Sequence, residues 1–342
     1  MITKKNFVTL FNSNYLSRGI TMYNSLLAST PNFHLYIIAF DEVTFQFLSS
    51  ENLPKITVIS LLEFEDTELL KIKPTRSASE YCWTCTASTI YYCINKFKLD
   101  HCVYIDADMF FYNDPQILFD EWHNSSILIT KHRFSKEYED NIINGIYCVQ
   151  FVGFKNNSEG MAALKWWREA CIEWCYHRLE DGKFGDQKYL NDWPTRFKNV
   201  CDLSYLGGGV APWNVQQYEF ILSDGKWKGT EKVTGRKFNL IFYHFHALRF
   251  YNNNIVLLGC HNLNDKNVKE IYFNYIKELV KTSSILKKKL PNVNVDGNTL
   301  SNLLPISKLK NFKNKLKLLV GRGSKIANEQ QNLFYLNDII QQ

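Results

Sequence analysis

The hydrophobic positions in the first third of the chain alternate between short continuous runs and stretches with helical spacing. Apolar runs typical of buried strands occupy residues 6–11, 33–40, 55–60 and 101–105. Between them, apolar residues recur with helical periodicity over residues 15–30 and 78–97. Because strands alternate with helices, the pattern predicts an α/β fold with a mostly parallel sheet and helices on both faces.

The fourth apolar run ends abruptly on two carboxylates. The stretch VYIDADMFFYNDP, from Val103 to Pro115, places Asp106 and Asp108 directly after the strand. Side chains two apart in an extended segment project to the same side, and ligands of parallel sheets gather at the carboxyl ends of strands. Converging carboxylates repel each other unless a cation lies nearby, and oxygen ligands favour Mg²⁺ or Mn²⁺. The pattern predicts a divalent metal site, although a solvated turn fits the same residues.

Composition narrows the class of protein. With 342 residues, 45% of them hydrophobic, the chain can bury a sizeable core, which excludes a disordered or fibrous protein. No run of about 18 apolar residues occurs, and the stretch MITKKNFVTLFNSN does not resemble a signal peptide. Nine scattered cysteines, an odd number, fit a reducing compartment. We therefore expect a cytoplasmic protein.

The positive charge of the chain belongs to its C-terminal part. Residues 252–342 carry 14 lysines and arginines against six acidic residues. Within this part, Leu309, Phe312, Leu316 and Leu319 keep helical spacing, and lysines surround them at positions 308, 310, 313, 315 and 317. Basic amphipathic helices bind anionic membrane surfaces, so we expect a helical C-terminal region that associates peripherally with the inner face of the cell membrane. A solvated helical appendage is the alternative, and no module for nucleic acid is evident.

Three later stretches place polar residues among glycines or at a strand end. FGDQKYLND contains Asp186 and Gln187 after two nearby glycines. LGGGVAPWN is a glycine-rich turn without the spacing of a phosphate-binding P-loop, and it ends near Trp213. FNLIFYHFHALRF ends a strand on His244 and His246. These stretches are the remaining candidates for a site at the edge of the sheet.

The motifs together resemble those of GT-A glycosyltransferases, the nucleotide-diphospho-sugar transferase fold. The resemblance rests on WWREACIEWCYHRLEDGKFGDQKYLNDWP, GGGVAPWN and FYHFHALR, in addition to YIDADMFF, and it covers roughly residues 6–251. It is strongest to a bacterial family with these stretches and more distant to the glycogenin and lipopolysaccharide galactosyltransferase group. It implies a GT-A (Rossmann-like) domain over residues 1–251, followed by the basic region 252–342.

The resemblance also implies an activity and its cofactor. A sugar would pass from a nucleotide-diphosphate donor, such as a UDP-sugar, to a glycan or lipid-linked acceptor in lipopolysaccharide or capsule biosynthesis. A Mn²⁺ or Mg²⁺ ion would bridge the two donor phosphates. Asp108 would bind this metal, Asp106 would be shared between the metal and the ribose, and His244 would be the further ligand. His246 is the alternative ligand, and Ala247 occupies a position where glycine is usual.

Asp186 and Gln187 match the Asp-Gln pair that lies near the donor sugar in retaining enzymes of this fold. Asp186 also suits the N-cap of a helix. In an inverting enzyme it would be the first candidate for the base that deprotonates the acceptor hydroxyl. The likeness around Asp186 and His244 favours retention.

The other candidate donor contacts come from four parts of the chain. Asn12, Asn14 and Tyr15 follow the first strand, where enzymes of this fold bind the nucleotide. Arg76 and Arg249 suit the diphosphate, because a guanidinium binds phosphate oxygens bidentately. Trp213 suits the face of a sugar. Core packing of Trp213 and a surface salt bridge for Arg249 are the structural alternatives.

Three other functions remain compatible with the motifs. Phosphatases of the haloacid dehalogenase type also place two aspartates after a strand, but here Met109 and Phe110 follow, and the motif lies a hundred residues into the chain. A nucleotide-sugar pyrophosphorylase would need a basic, glycine-rich loop where FNSNYLSRG occurs. A sugar-binding protein without catalysis is the third.

Overall fold

The computed structural model of the chain describes residues 4–252, 254–299, 328–329 and 331–341. The α-helices of this part are α1 (Leu16–Ser29), α2 (Glu42–Ser50), α3 (Leu61–Phe64), α4 (Thr67–Ile72), α5 (Ala78–Phe97), α6 (Gln116–Glu121), α7 (Ser158–Glu173), α8 (Trp193–Arg196), α9 (Lys266–Lys289) and α10 (Leu336–Ile340). Its strands are β1 (Lys5–Phe11), β2 (Phe33–Ala39), β3 (Ile56–Ser60), β4 (His101–Ile105), β5 (Met109–Phe111), β6 (Ile127–Lys131), β7 (Tyr147–Lys155), β8 (Val200–Asp202), β9 (Gly208–Val210), β10 (Tyr218–Ser223), β11 (Lys226–Glu231), β12 (Lys237–Asn239), β13 (Phe242–His244), β14 (Arg249–Tyr251), β15 (Ile255–Leu257) and β16 (Leu333–Tyr335).

A seven-stranded sheet in the order β3-β2-β1-β4-β7-β6-β8 forms the centre of the molecule. Strands β1 to β4 pair in parallel, and β7 alone runs antiparallel to its neighbours β4 and β6. The predicted mostly parallel α/β sheet is therefore confirmed, and the four predicted strands and two predicted helices lie where the apolar pattern indicates.

Both faces of the sheet are buried, which explains why the strands are apolar without alternation. Val8 and Tyr36 pack in one core cluster with α5 and α7. Their sequence neighbours Phe7 and Leu35 pack in a second cluster with α1. Because successive side chains point to opposite faces, each strand contributes to both clusters.

A small sheet in the order β5-β13-β9 crosses the carboxyl end of β4. β13 is antiparallel to β5 and parallel to β9. Since β5 follows β4 after only three residues, this pairing brings a late part of the chain to the end of the central strand.

The C-terminal part of the chain packs onto the preceding part. A three-stranded sheet, β14-β15-β16, spans the predicted boundary at residue 251, since β14 precedes that boundary and β15 follows it. Thr282 in α9 bonds Thr21 in α1, hydroxyl to hydroxyl, at 3.0 Å. The expected basic amphipathic helix around residues 308–319 lies outside the described residues. None of the helices in the described ranges combines the length and apolar character that crossing a bilayer requires.

Candidate metal and donor site

Two aspartates and a histidine meet at the carboxyl end of β4. Asp106 directly follows β4, and Asp108 directly precedes β5. The pairing of β13 with β5 places His244 opposite Met109, and the Phe245 amide donates to the Asp108 carbonyl at 2.9 Å. As a result, His244 Nε2 lies 3.1 Å from Asp108 Oδ1 and 3.7 Å from Asp106 Oδ2. Ligand atoms of all three residues lie within 4.8 Å of one another.

The charges of this cluster depend on one another. Burial raises the pKa of Asp106 to about 6, although the positive charge of His244 opposes this effect. Burial acts in the same direction on Asp108, but the charge and hydrogen bond of His244, together with the charges of His246 and Arg18, outweigh it and lower the pKa of Asp108 to about 2. Burial also disfavours the imidazolium of His244, yet the adjacent Asp108 raises its pKa well above the usual value. A cation bound by the carboxylates would therefore compete with the proton on His244.

Neighbouring side chains orient the cluster in the way that metal ligands require. His244 Nδ1 lies 2.6 Å from Gln150 Oε1, so Nδ1–H donates to the amide oxygen and leaves the Nε2 lone pair for a metal. Gln150 is fully buried, and its Nε2 has no partner in the described part of the chain. The Tyr104 hydroxyl donates to Asp106 Oδ1 at 3.0 Å. Two carboxylates and a neutral imidazole fit Mn²⁺ or Mg²⁺.

His246 lies beside this cluster but outside it. Its side chain is exposed, whereas His244 is buried, and the centroids of the two rings are 5.6 Å apart. Trp213 is buried and meets both rings edge to face, with ring centroids 5.4 Å from His244 and 5.5 Å from His246. Its Nε1 donates to the His132 carbonyl. Ala247 has a φ of 64°, the left-handed conformation that favours glycine. The backbone thus keeps the conformation of a glycine at this position, despite the side chain.

Asp186 is a buried carboxylate near the two aspartates. It occupies the N-cap position of the 3₁₀-helix Gln187–Asp192, but its side chain makes no capping hydrogen bond, so the expected cap is wrong in this respect. Its carbonyl accepts from Trp167 Nε1 at 3.0 Å. Burial raises the pKa of Asp186 to about 7, a hydrogen bond from Thr86 opposes the shift, and the negative charge of Asp106 adds to it. Asp186 therefore changes charge near neutral pH.

Tyr15 and Arg249 lie on the open side of the cluster. The Tyr15 ring is 42% exposed, and the guanidinium of Arg18 packs over it at 4.7 Å. Partial burial and the negative charge of Asp108 raise the pKa of Tyr15, while Arg18 and the exposed Arg249 oppose this effect. These electrostatic contacts place Tyr15 near Asp108 and Arg249 near Tyr15.

Asn12 and Asn14 lie in the turn that follows β1. Asn12 precedes the 3₁₀-helix Ser13–Tyr15 and makes no capping bond with its side chain, and Asn14 is exposed. Gly297 packs against this turn so closely that a Cβ there would lie 2.9 Å from the Asn14 carbonyl oxygen. The C-terminal segment around Gly297 thus packs against this turn.

Gln187 and Arg76 are held by contacts outside the cluster. Gln187 Nε2 donates to the Asn144 carbonyl at 3.0 Å. Arg76 stacks on the Tyr176 ring at 3.9 Å and donates to the Ile172 carbonyl at 3.1 Å. In the described ranges, none of these bonds joins either residue to the two aspartates, and their assignment to the donor stays a prediction.

Two residues at the site escaped the sequence analysis. Gln150 lies on β7, and only the antiparallel pairing of β7 with β4 brings it to His244. Arg18 is 3% exposed, donates to the carbonyls of Asp296 and Leu248, and lowers the pKa of Asp108. Arg18 left a signal, because it falls one helical turn before Met22 on the buried stripe of α1. Gln150 left none.

Comparison with known proteins gives relatives in sequence and in structure. No family model matches the chain. It is 30% identical over 295 residues to Bacillus subtilis YfnD, which covers 84% of this chain and 92% of that protein. It is 32% identical over 256 residues to YfnF of the same organism, which covers 72% of this chain and 83% of that protein. Both relatives are described as uncharacterized.

Similar solved structures include glycosyltransferases, the class that the motifs resemble. Mouse xyloside xylosyltransferase 1 is 12% identical with a TM-score of 0.43, and the match covers 71% of this chain and 98% of that one. An active-site mutant of LgtC is 11% identical with a TM-score of 0.47, covering 91% and 100%. The galactosyltransferase LgtC in complex with donor and acceptor sugar analogs is 14% identical with a TM-score of 0.39, covering 60% and 76%.

Proposed function

We propose that this chain, which belongs to the family of the Bacillus subtilis proteins YfnD and YfnF, is a metal-dependent glycosyltransferase. It would move a sugar from a nucleotide-diphosphate donor to a glycan or lipid-linked acceptor. The observation that carries this proposal is the cluster of Asp106, Asp108 and His244 at the carboxyl end of a central parallel strand. Release of a nucleoside diphosphate from a nucleotide-sugar tests it.

The first part of the proposed mechanism is the binding of the leaving group. Asp108, Asp106 and His244 would hold Mn²⁺ or Mg²⁺, which when bound supplies Lewis-acid stabilisation of the diphosphate charge. Gln150 holds His244 in the tautomer that presents Nε2. The exposed guanidinium of Arg249 would bind the departing phosphate oxygens, where charge develops as the anomeric C–O bond breaks.

The second part is the orientation of the donor. The turn from Asn12 to Tyr15 follows β1, the neighbour of β4 in the sheet, so it flanks the cluster. The half-exposed Tyr15 ring offers a flat surface to a nucleoside, and Arg18 supports the ring from its buried side. A UDP-sugar is the donor that we expect at this surface.

The third part is the handling of the sugar and its acceptor by Asp186. This carboxylate has a pKa of about 7, so it exchanges a proton near neutral pH. In a retaining enzyme, the stereochemistry that we favour, it would contact the donor sugar. In an inverting enzyme it would accept the proton of the attacking hydroxyl.

His244→Ala is expected to weaken the binding of a nucleoside diphosphate with Mn²⁺ at least about tenfold more than His246→Ala does. His244 contributes a ligand atom within the cluster and is buried, whereas His246 is exposed beside it. Isothermal titration of both variants with UDP and Mn²⁺ measures the difference. The reverse order of affinities would assign the ligand to His246 instead.

Attachment to an anionic membrane surface is a further part of the proposal. It is motivated by the lysines at positions 308, 310, 313, 315 and 317. Each lysine near an anionic leaflet contributes about 1 kcal/mol. Truncation is a poor test, because β16 pairs with β15 and Ile339 is fully buried, so removing the C-terminus would damage the fold.

Replacing these five lysines with glutamine is expected to reduce co-sedimentation with phosphatidylserine vesicles at low salt and to leave turnover of a soluble donor unchanged. Binding of the unaltered chain should fall steeply with added salt, because the Debye length shrinks to about 3 Å at 1 M. If both proteins pellet alike at low salt, these lysines do not attach the chain to membranes.

A further inference from the structure

A cavity of about 400 Å³ lies beyond the carboxyl end of β3, on the far side of α5 from the metal cluster. Two strands separate β3 from β4 in the sheet, a lateral distance of about 14 Å. Thr86 in α5 lies close enough to Asp186 to lower its pKa, whereas Ser88 lines the cavity. Residues two apart on a helix point about 200° away from each other, so α5 separates the two sites. The volume is in the range of pockets for small ligands.

The exposed residue Glu63 lines this cavity, and one of its carboxylate oxygens carries both of the hydrogen bonds that the side chain accepts. Glu63 Oε1 accepts from the Tyr92 hydroxyl at 2.7 Å and from Lys96 Nζ at 3.0 Å. Both bonds use the same oxygen, and Oε2 has no partner in the part of the chain that the structure describes. Hydrogen bonds from Tyr92 and Lys96 lower the pKa of Glu63, so it accepts as a carboxylate at neutral pH.

Glu65 repeats this arrangement deeper in the cavity. Glu65 Oε1 accepts from Lys73 Nζ at 2.6 Å and from the Tyr81 hydroxyl at 2.7 Å, while Oε2 is again without a partner among the described residues. Ser88 Oγ is buried and also has no partner there. A ligand hydroxyl that bonds Ser88 Oγ would therefore satisfy a polar atom that otherwise lacks a hydrogen bond.

The rest of the lining limits the charge of the ligand. Arg168 is 8% exposed and forms ion pairs with Asp66 and Glu68. Because the carboxylates of Glu63 and Glu65 are also paired with lysines, each of these four carboxylates has a basic partner, and Asp66 and Glu68 share Arg168. An anion or a cation would disturb these pairs, whereas a neutral ligand with several hydroxyl groups would use the remaining oxygens.

We propose that this cavity binds a neutral sugar unit. The partly exposed rings of Tyr91 and Tyr92, which line it, would pack against the apolar face of the sugar. Sugar hydroxyls would donate to Oε2 of Glu63 and Glu65, and Ser88 Oγ would bond a further hydroxyl. The site is separate from the donor site, so the chain would hold a glycan at a second point, whatever the reaction at the metal cluster.

The test is saturation-transfer NMR of the full chain with methyl glucoside, methyl galactoside and methyl N-acetylglucosaminide, without nucleotide or metal. At least one glycoside is expected to bind with a Kd on the order of 1 mM. Ser88→Leu, which fills the cavity, and Glu63→Gln, which weakens an acceptor, should each weaken this binding about tenfold or more. Asp108→Asn should leave it unchanged, and Glu63→Gln should leave nucleotide-sugar turnover unchanged.

Thermal unfolding of each variant distinguishes loss of the site from loss of the fold. If Ser88→Leu does not fold, Glu63→Gln alone tests the proposal. Glycoside binding that both folded variants retain would overturn the proposal. So would the absence of binding by all three glycosides, or binding of a simple alkylammonium ion alone. Failure of the proposed transferase activity would leave this outcome untouched, since the probes are neither donors nor nucleotides.

Discussion

Replacing Asp108 with asparagine is expected to abolish metal-supported sugar transfer, with kcat/KM lower by about 10³-fold or more. Asparagine keeps the shape of the side chain but removes the charge that both binds a cation and pairs with His244. The fold should persist, because the Asp108 contact that joins the strands is its backbone carbonyl. Donor turnover with Mn²⁺ and circular dichroism of the variant check the two parts of this expectation.

The matched control is Asp120→Asn, which removes one charge from an exposed aspartate on α6. This variant should retain full turnover. The His244 resonances provide a readout that does not depend on activity, because loss of Asp108 should lower the pKa of His244. Full activity of Asp108→Asn would contradict the metal assignment, and an unchanged His244 titration would contradict the electrostatic account of the cluster.

Asp186→Asn is expected to lower kcat by about 10²-fold or more while the KM for the donor changes little, because a positioned carboxylate acts mainly in the transition state. The same change should stabilise the metal-free protein. Folding raises the pKa of Asp186 from 3.8 to about 7, so the ionised group costs the folded state about 4 kcal/mol.

The sign of this effect fixes its pH dependence. Below pH of about 4, Asp186 is protonated in both the folded and unfolded states, and the variant and the parent should be equally stable. As pH rises from about 4 to about 7, the parent loses stability relative to the variant, and above about pH 7 the difference stays constant. Urea unfolding at several pH values measures it. A variant that is less stable at about pH 8, or one with unchanged kcat, would remove Asp186 from the proposed mechanism.

The parallel part of the sheet could be predicted because its strands are buried on both faces. Runs such as residues 33–40 have no alternation, and the intervening helices repeat at 3.6 residues, so the order of elements follows from local pattern. The pairing of β5 with β13 has no such signal, since both strands are three residues long and more than a hundred residues apart. For the same reason, local sequence did not predict the contact between Gln150 and His244.

The candidate ligands were predicted more fully than their surroundings. Asp106, Asp108 and His244 converge as the resemblance implies, and Ala247 adopts the backbone of a glycine. Trp213 is buried under the histidines rather than open to a sugar. Its position depends on a hydrogen bond to His132, which no spacing in the sequence reveals. The helical spacing of residues 308–319 predicts a feature that the described residues do not include.

The measurement that tests the central claim most directly is product analysis after incubation of the chain with Mn²⁺ and a panel of nucleotide-sugars. We expect release of a nucleoside diphosphate from one donor, dependent on Mn²⁺, abolished by EDTA and absent in Asp108→Asn. Release of inorganic phosphate would indicate a phosphatase, and formation of a nucleoside triphosphate with added pyrophosphate would indicate a pyrophosphorylase. Donor binding without any turnover would indicate a non-catalytic sugar-binding protein, and each of these three results would contradict the proposed glycosyltransferase.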